Sequence, residues 1–243
     1  MPFFDQTRVA CRCEWGTTGL GSLAPADVVI VVDVLSFSTC VDIATSQGAI
    51  ILPYQWKDDS ARAYADAHRA ELAVARDTDR YSLSPMSFQR APRGLRCVLA
   101  SPNGATLALR AAASGAAVLT GCLRNATAVA SAAERCGATF NVCPAGERWP
   151  DGSIRFAAED WLGAGAILRQ LPGSKSPEAL AAIASFEAAY DRLFEALAAS
   201  SSGRELIEQG FETDVECASR FDVSRRVPRL IDGAFVDAKM AGS

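Results

Sequence analysis

One histidine, His68, occurs in the 243 residues. A histidine-rich metal centre is thereby excluded, and a Ser-His-Asp triad is a poor reading. Acid–base chemistry then falls to carboxylates, to cysteine or to a metal-bound water. His68 itself stands in a polar, helix-like segment without a motif, the setting of a solvent-facing helix residue. The eight cysteines (11, 13, 40, 97, 122, 136, 143 and 217) include no Cys-x-x-Cys pair. No structural zinc framework can be written from them, and most read as small buried residues of a reducing compartment. No apolar run approaches the roughly 20 residues that cross a bilayer. No long basic run is present, and the net charge is −4, which argues against nucleic acid as the main partner. An acid, Asp5, stands where a signal peptide needs its apolar core. The expected setting is the cytoplasm, with no membrane partner.

What is present is an ordinary globular composition, 49% hydrophobic and 21% charged. The most informative stretch is Val28-Val-Ile-Val-Val-Asp33, followed by Val34-Leu-Ser36-Phe-Ser38-Thr39. A run of β-branched residues buried on both faces marks a central parallel strand. Ligands bind beyond the carboxyl ends of such strands, near helix N-termini that favour anions. Asp33 sits at that edge, where a carboxylate is useful to a cation or substrate and costly to a core.

Strand-like and helix-like stretches alternate along the chain. Strands are expected at 28–33, 49–53, 72–75, 97–100, 116–121 and 139–143, and helices at about 38–47, 57–69, 105–113 and 125–136. Helices over 158–170, 177–200, 203–210 and 213–220 follow. This pattern predicts a three-layer α/β/α fold with a largely parallel or mixed sheet and a helical C-terminal part. Residues 1–243 are expected to form a single domain, with the turn-rich segment Leu171–Pro177 as the candidate point of subdivision.

Several strands run into a polar loop that opens a helix: Asp33 to Thr39, Ser101 to Gly104, Thr120 to Asn125, and Cys143 to Arg148. Ser36, Ser38 and Thr39 can donate to phosphate oxygens at a helix start. Asn103-Gly104 lets the backbone approach a ligand, because glycine has no Cβ. Taken singly, each is more readily a helix cap or a turn, and the four together are what point to a ligand. The candidate acids are Asp33, the pair Glu159-Asp160, Asp214 and Glu216. Carboxylates without histidine suit a hard ion, and Mg²⁺ is the usual partner of phosphate substrates. Glu159 and Asp160 can equally be helix N-terminal acids that complement the macrodipole. Familiar phosphate motifs fail. Asp33-Val-Leu35 lacks the second acid of Asp-x-Asp, Cys143 to Arg148 is one residue short of Cys-x5-Arg, and Gly163-Ala-Gly165 lacks a third glycine.

Taken in order, the landmarks resemble the 2-phosphosulfolactate phosphatase family over about residues 25–235. They are Val31-Val-Asp33-Val-Leu35, Ser101-Pro-Asn103-Gly104, Gly121-Cys-Leu-Arg-Asn125, Val142-Cys143-Pro-Ala-Gly146, Phe156-Ala-Ala-Glu159-Asp160 and Asp214-Val-Glu-Cys217. The resemblance implies a magnesium-dependent enzyme linked to coenzyme M biosynthesis. Such an enzyme hydrolyses (2R)-2-phospho-3-sulfolactate to 3-sulfolactate and phosphate. It points to Asp33, Asn103, Asn125, Glu159, Asp160 and Asp214 as the polar core. Where the family pattern has an arginine after Asp-Val-Leu, this chain has Ser36. Arginine suits a bidentate grip on phosphate or sulfonate, and Arg124 or Arg148 could supply that charge from a neighbouring loop.

The working expectation is therefore a Mg²⁺-dependent phosphatase acting on a small phosphorylated anion. Asp33 and Asp214 would be catalytic, Asp33, Glu159 and Asp160 would hold the metal, and Ser36, Ser38, Thr39, Asn103, Gly104, Arg124, Asn125 and Arg148 would bind substrate. Two rivals stand beside it: a hydrolase using Cys143 as a thiol nucleophile, and a protein that binds the anion without turning it over. A homodimer is a plausible assembly, since symmetric pairs are common among soluble chains.

Overall fold

Val28, Ile30 and Val32 are buried in one hydrophobic cluster, while Val29 and Val31 are buried in another. Successive side chains of a strand point to opposite faces, so this strand has a core on each side. The computed structural model describes residues 3–56, 58–76 and 78–238. The first half comprises β1 (Cys11–Cys13), α1 (Gly16–Ser22), β2 (Val28–Val32), α2 (Phe37–Ser46), β3 (Ile50–Tyr54), α3 (Asp59–Ala67), β4 (Glu71–Leu72), β5 (Arg96–Ala100) and α4 (Gly104–Ala112). Next come β6 (Ala117–Gly121), α5 (Ala126–Cys136), β7 (Phe140–Pro144), β8 (Glu147–Arg148), β9 (Ile154–Arg155) and α6 (Ala158–Gln170). The rest is α7 (Pro177–Ala189), α8 (Leu193–Ala199), α9 (Ser201–Glu208), α10 (Glu212–Ser219), β10 (Pro228–Ile231) and β11 (Ala234–Asp237).

The main sheet has nine strands in the order β1-β7-β2-β6-β10-β11-β3-β5-β4. β2 pairs in parallel with β6 on one side and β7 on the other, Ile30 lying opposite both Leu119 and Val142. A second parallel group joins β3, β5 and β4. Helices cover both faces, so the α/β/α expectation holds. The hairpin β10–β11 was not expected. It enters between the two parallel groups, antiparallel to β6 through Arg229 and to β3 through Phe235. Its turn, Asp232-Gly233, has positive φ at both residues, 48° and 79°, the geometry that matches strand twist in a tight hairpin.

Two expectations, one helical and one for a strand, change in detail. The stretch 177–200 divides into α7 and α8 around a 3-10 turn at Tyr190–Arg192. Of 72–75, only Leu72 joins a strand, and Val74 forms an isolated bridge with Ser82. The segment 171–177 is tied to the sheet edge, where Cys11 N–H donates to Ser174 O and Ser176 N–H donates to Cys11 O. Ser176 also caps α7 by accepting from Ala179 N–H at 3.1 Å. Gly165 of α6 has no room for a Cβ against the Ala182 carbonyl of α7. That close approach explains a glycine in mid-helix, where alanine would otherwise be favoured.

All eight cysteines are free, and every one but the half-buried Cys136 is buried. His68 ends α3, with its ring 4.1 Å from that of Tyr64 and Nδ1 2.8 Å from the Tyr64 carbonyl. Among the described residues no helix is long and apolar enough to cross a membrane.

Candidate active site

β2 delivers Asp33 into a loop whose backbone closes around its carboxylate. Phe37 N–H donates to Oδ1 at 3.1 Å, and Gly104 N–H donates to Oδ2 at 2.9 Å. The Ser101 hydroxyl adds a longer bond to Oδ2 at 3.4 Å. Asp33 is buried, and burial pushes its carboxyl above the usual range against these three bonds, with repulsion from Glu159 adding to the rise. The segments after β2 and β5 are thus joined through one side chain.

Asp160 joins a third segment. Its Oδ1 accepts from Val34 N–H at 2.7 Å and its Oδ2 from Gly146 N–H at 2.9 Å. The loops after β2 and β7 are thereby clamped to the start of α6. Burial first, then the charges of Asp33 and Glu159, push Asp160 well above its ordinary value. Glu159, 2% exposed, raises both neighbours, so the three carboxylates share one electrostatic environment.

A fourth acid, Glu147 of β8, completes the group. Asn103 Nδ2 donates to Glu147 Oε2 at 2.8 Å. Burial, then the charge of Asp33, pushes Glu147 up to about 7 despite that bond. Among the described residues no lysine or arginine lies within ion-pair distance of Asp33, Glu147, Glu159 or Asp160. None of the four is neutralised by an ion pair, and the more distant charge of Arg155 opposes the rise of Glu147 only as the last of its causes.

Asp33 and Glu147 open on a cavity of about 210 Å³ that is also lined by Ser36, Ser101, Asn103, Arg76 and residues of α9. A cleft of about 370 Å³ around Leu20 and Ala24 is lined by no acid, and one of about 480 Å³ shares Arg76 but has Asp58 and Asp59 where this cavity has Asp33 and Glu147. Arg76 Nη2 donates to Ser36 Oγ at 3.0 Å and to the Leu83 carbonyl at 2.7 Å. Its Nε lies 3.6 Å from Asp214 Oδ2, an ion pair too long for a hydrogen bond. Asp214 accepts instead from the Ser84 hydroxyl at 2.6 Å. Burial raises its carboxyl, and the Ser84 bond and the Arg76 charge oppose that rise.

Asp33, Ser36 and Asn103 line the cavity, and Gly104 touches it through Asp33. Other expected site residues are committed elsewhere. The Ser38 hydroxyl accepts from Asp33 N–H at 2.9 Å and lies 2.7 Å from Thr120 Oγ1, and Thr39 donates to the Val34 carbonyl at 2.7 Å. Both shape the turn and do not face the cavity. Asn125 accepts from Cys122 N–H at 2.9 Å and donates to the Arg226 carbonyl. Arg124 is paired with Asp42 at 3.0 Å and donates to the Cys217 carbonyl. Arg148 is exposed and donates to the Gly152 and Pro102 carbonyls. The guanidinium that reaches Ser36 therefore belongs to Arg76, not to Arg124 or Arg148. Asp214 does not line the cavity but stands behind Arg76. Cys143 is fully buried, and burial pushes its thiol up to about 12. A nucleophilic cysteine needs exposure and thiolate character, and Cys143 has neither.

Nothing in the sequence singles out Arg76, which sits in a polar loop without a motif. Glu147 had a weak signal, since it lies in the loop beyond a buried strand, where ligand groups gather.

The donor set fits a hard divalent cation. It is all oxygen, none of its acids is held in an ion pair, and Glu159 forms no hydrogen bond among the described residues through its carboxylate. No three acid, cysteine or histidine side chains are already drawn into a metal cage among the described residues. Mg²⁺ does not need one, because it binds through one or two carboxylates, with waters and substrate phosphate completing its shell.

A family model described as 2-phosphosulpholactate phosphatase matches residues 20–233. A Carboxydothermus hydrogenoformans protein named "Probable 2-phosphosulfolactate phosphatase" is 30% identical over 212 residues, covering 82% of this chain and 84% of its own length. A Gloeobacter violaceus protein of the same name is 27% identical over 212 residues, 84% of this chain and 88% of that protein. The "2-phosphosulfolactate phosphatase" of Methanothermobacter thermautotrophicus is 36% identical over 143 residues, 58% of each chain.

Proposed function

The chain belongs to the 2-phosphosulpholactate phosphatase family, and on that premise we propose that it hydrolyses (2R)-2-phospho-3-sulfolactate to 3-sulfolactate and inorganic phosphate. The observation that carries this reading is the gathering of Asp33, Glu147, Glu159 and Asp160 from distant parts of the chain, with Asp33 and Glu147 lining one small polar cavity. Four carboxylates without an ion pair are a poor way to build a core. They are a good way to receive a cation together with a phosphate.

Asp33 and Glu159 would hold Mg²⁺, which, when bound, neutralises phosphate oxygens and lowers the pKa of a bound water. Asp160 has an N–H on each oxygen and serves to fix the loops around them. The Phe37 and Gly104 N–H groups fix the orientation of the Asp33 carboxylate, so little reorganisation is needed as the reaction proceeds. Hydrolysis breaks the ester P–O bond, adds a water oxygen to phosphorus and leaves an alkoxide that needs a proton. Glu147, titrating at about 7 and steered by Asn103, is suited to hold that proton near neutral pH. Coenzyme M biosynthesis and a cytoplasmic setting go with this reading.

The catalytically silent alternative drew on the missing arginine at position 36. A guanidinium on the Ser36 hydroxyl supports the catalytic reading over that alternative. The test is inorganic phosphate release from a panel of small phosphoesters, with Mg²⁺ or with EDTA. Turnover of phosphosulfolactate that EDTA abolishes is expected. No turnover of any phosphoester, with the metal supplied, would refute the reading.

A further inference from the structure

We propose that Arg76 is the specificity-determining residue of this cavity, gripping the acidic group of the substrate that does not react. The inference rests on the phosphatase reading above and names what recognises the remainder of the molecule.

Arg76 is the one cation among the residues that line the cavity, where Asp33, Glu147 and Glu205 are the acids. A ligand with two or more negative groups meets repulsion there unless a positive group receives it. The guanidinium is held from several sides. Nη2 is fixed by Ser36 and Leu83, Nε faces Asp214, and the ring of Phe211 lies 5.9 Å from its carbon. Ser84 fixes Asp214 in turn. A guanidinium immobilised in this way loses little entropy when it takes an oxyanion.

It also keeps donors in reserve. The side chain is 23% exposed, and among the described residues nothing accepts from Nη1. Its ion partner is Asp214, while Asp33 and Glu147 lie beyond ion-pair distance. The cavity thus has an acidic pole for a cation-bridged phosphate and a separate cationic pole. A carboxylate or sulfonate on the same small molecule suits that second pole, since both match the planar fork of arginine. The alternative, that Arg76 only ties its loop to α10, makes no difference between one anion and another.

The test is calorimetric binding of 3-sulfolactate and of inorganic phosphate, in the presence of Mg²⁺, to the wild-type chain, Arg76→Gln and Arg76→Lys. Arg76→Gln should weaken 3-sulfolactate by about ten- to a hundredfold, the range for losing charge-assisted hydrogen bonds, and leave phosphate within about twofold. Arg76→Lys should recover part of the loss. Lactate and isethionate, each carrying one of the two acidic groups, identify which one Arg76 holds. In turnover, Arg76→Gln should raise KM for phosphosulfolactate far more than it lowers kcat. Equal weakening of both ligands, weakening of phosphate alone, no change in either, or no binding of 3-sulfolactate by the wild-type chain would overturn the proposal. If Arg76→Gln does not fold, Ser36→Ala removes one of the two acceptors of Nη2 and loosens the guanidinium. It should then weaken 3-sulfolactate alone, and unchanged binding would count against Arg76. A chain that binds 3-sulfolactate through Arg76 yet releases no phosphate would refute the activity and leave this inference standing.

Discussion

The Gly104 N–H donates to Asp33 Oδ2 at 2.9 Å, and a Cβ on residue 104 would stand 2.5 Å from that same oxygen. The start of α4 can reach the carboxylate only because it carries no side chain. The same Cβ would meet Phe37 Cδ1 at 2.7 Å and Asp33 Cβ at 2.9 Å, so no single side-chain rotation relieves it. Gly104→Ala should displace Asp33, at an overpacking cost of about 1–3 kcal/mol. Urea unfolding and kcat should both register it, with kcat falling the more.

Asp160 is expected to matter chiefly for stability. Each of its oxygens accepts a backbone N–H, from Val34 and from Gly146. An amide offers one acceptor and one donor, so Asp160→Asn turns an NH₂ towards one of those N–H groups. The loss should be roughly 1–3 kcal/mol, the cost of leaving a buried donor unsatisfied. Urea unfolding in EDTA measures it without the metal.

Glu147 should do the reverse at high pH. Its carboxyl titrates at about 7 in the folded chain, against 4.5 for an ordinary glutamate. Between those values the native state holds more protons than the unfolded one, so stability falls as pH rises. The contribution is fully present below about 4.5 and gone above about 7. It is worth up to roughly 3 kcal/mol before solvent screening of a half-buried group is allowed for. Glu147→Gln should therefore raise Tm relative to wild type at pH 8 more than at pH 4, in EDTA. Burial raises Asp33 and Asp160 in the same direction, so the metal-free wild-type chain should also lose stability with rising pH.

Mg²⁺ should reverse that loss. A ligand that binds only the native state stabilises it by mass action, by about 2.7 kcal/mol at a hundredfold excess over Kd. Thermal unfolding with and without Mg²⁺ should show a larger gain at pH 8 than at pH 5, because deprotonated carboxylates bind the ion. The gain should shrink in Asp33→Asn. An equal gain in that variant would remove Asp33 from the metal site.

The parts of this site that were legible in the sequence are those with a local signature. The β-branched run before Asp33 announced a strand buried on both faces, because period and burial are written in consecutive residues. Asn103-Gly104 announced a close backbone approach, although its partner, Asp33, lies about seventy residues away. Ser38 and Thr39 suggested ligand donors, yet their hydroxyls serve the backbone of the turn, since apolar neighbours bury the start of α2. Arg76 had no local signature at all, and its role comes from Ser36, Leu83 and Asp214 meeting around it. The hairpin β10–β11 carried a readable Asp-Gly turn. Its insertion between two parallel groups is a tertiary fact that strand–helix alternation does not encode.

Phosphate release from phosphosulfolactate by the wild-type chain and by Asp33→Asn, at saturating Mg²⁺ and with folding verified by circular dichroism, tests the convergence of acids most directly. The wild-type chain should turn the substrate over. The variant should be slower by about a hundred- to a thousandfold, the range for removing one preorganised electrostatic group. Equal turnover by a folded Asp33→Asn protein would contradict the account.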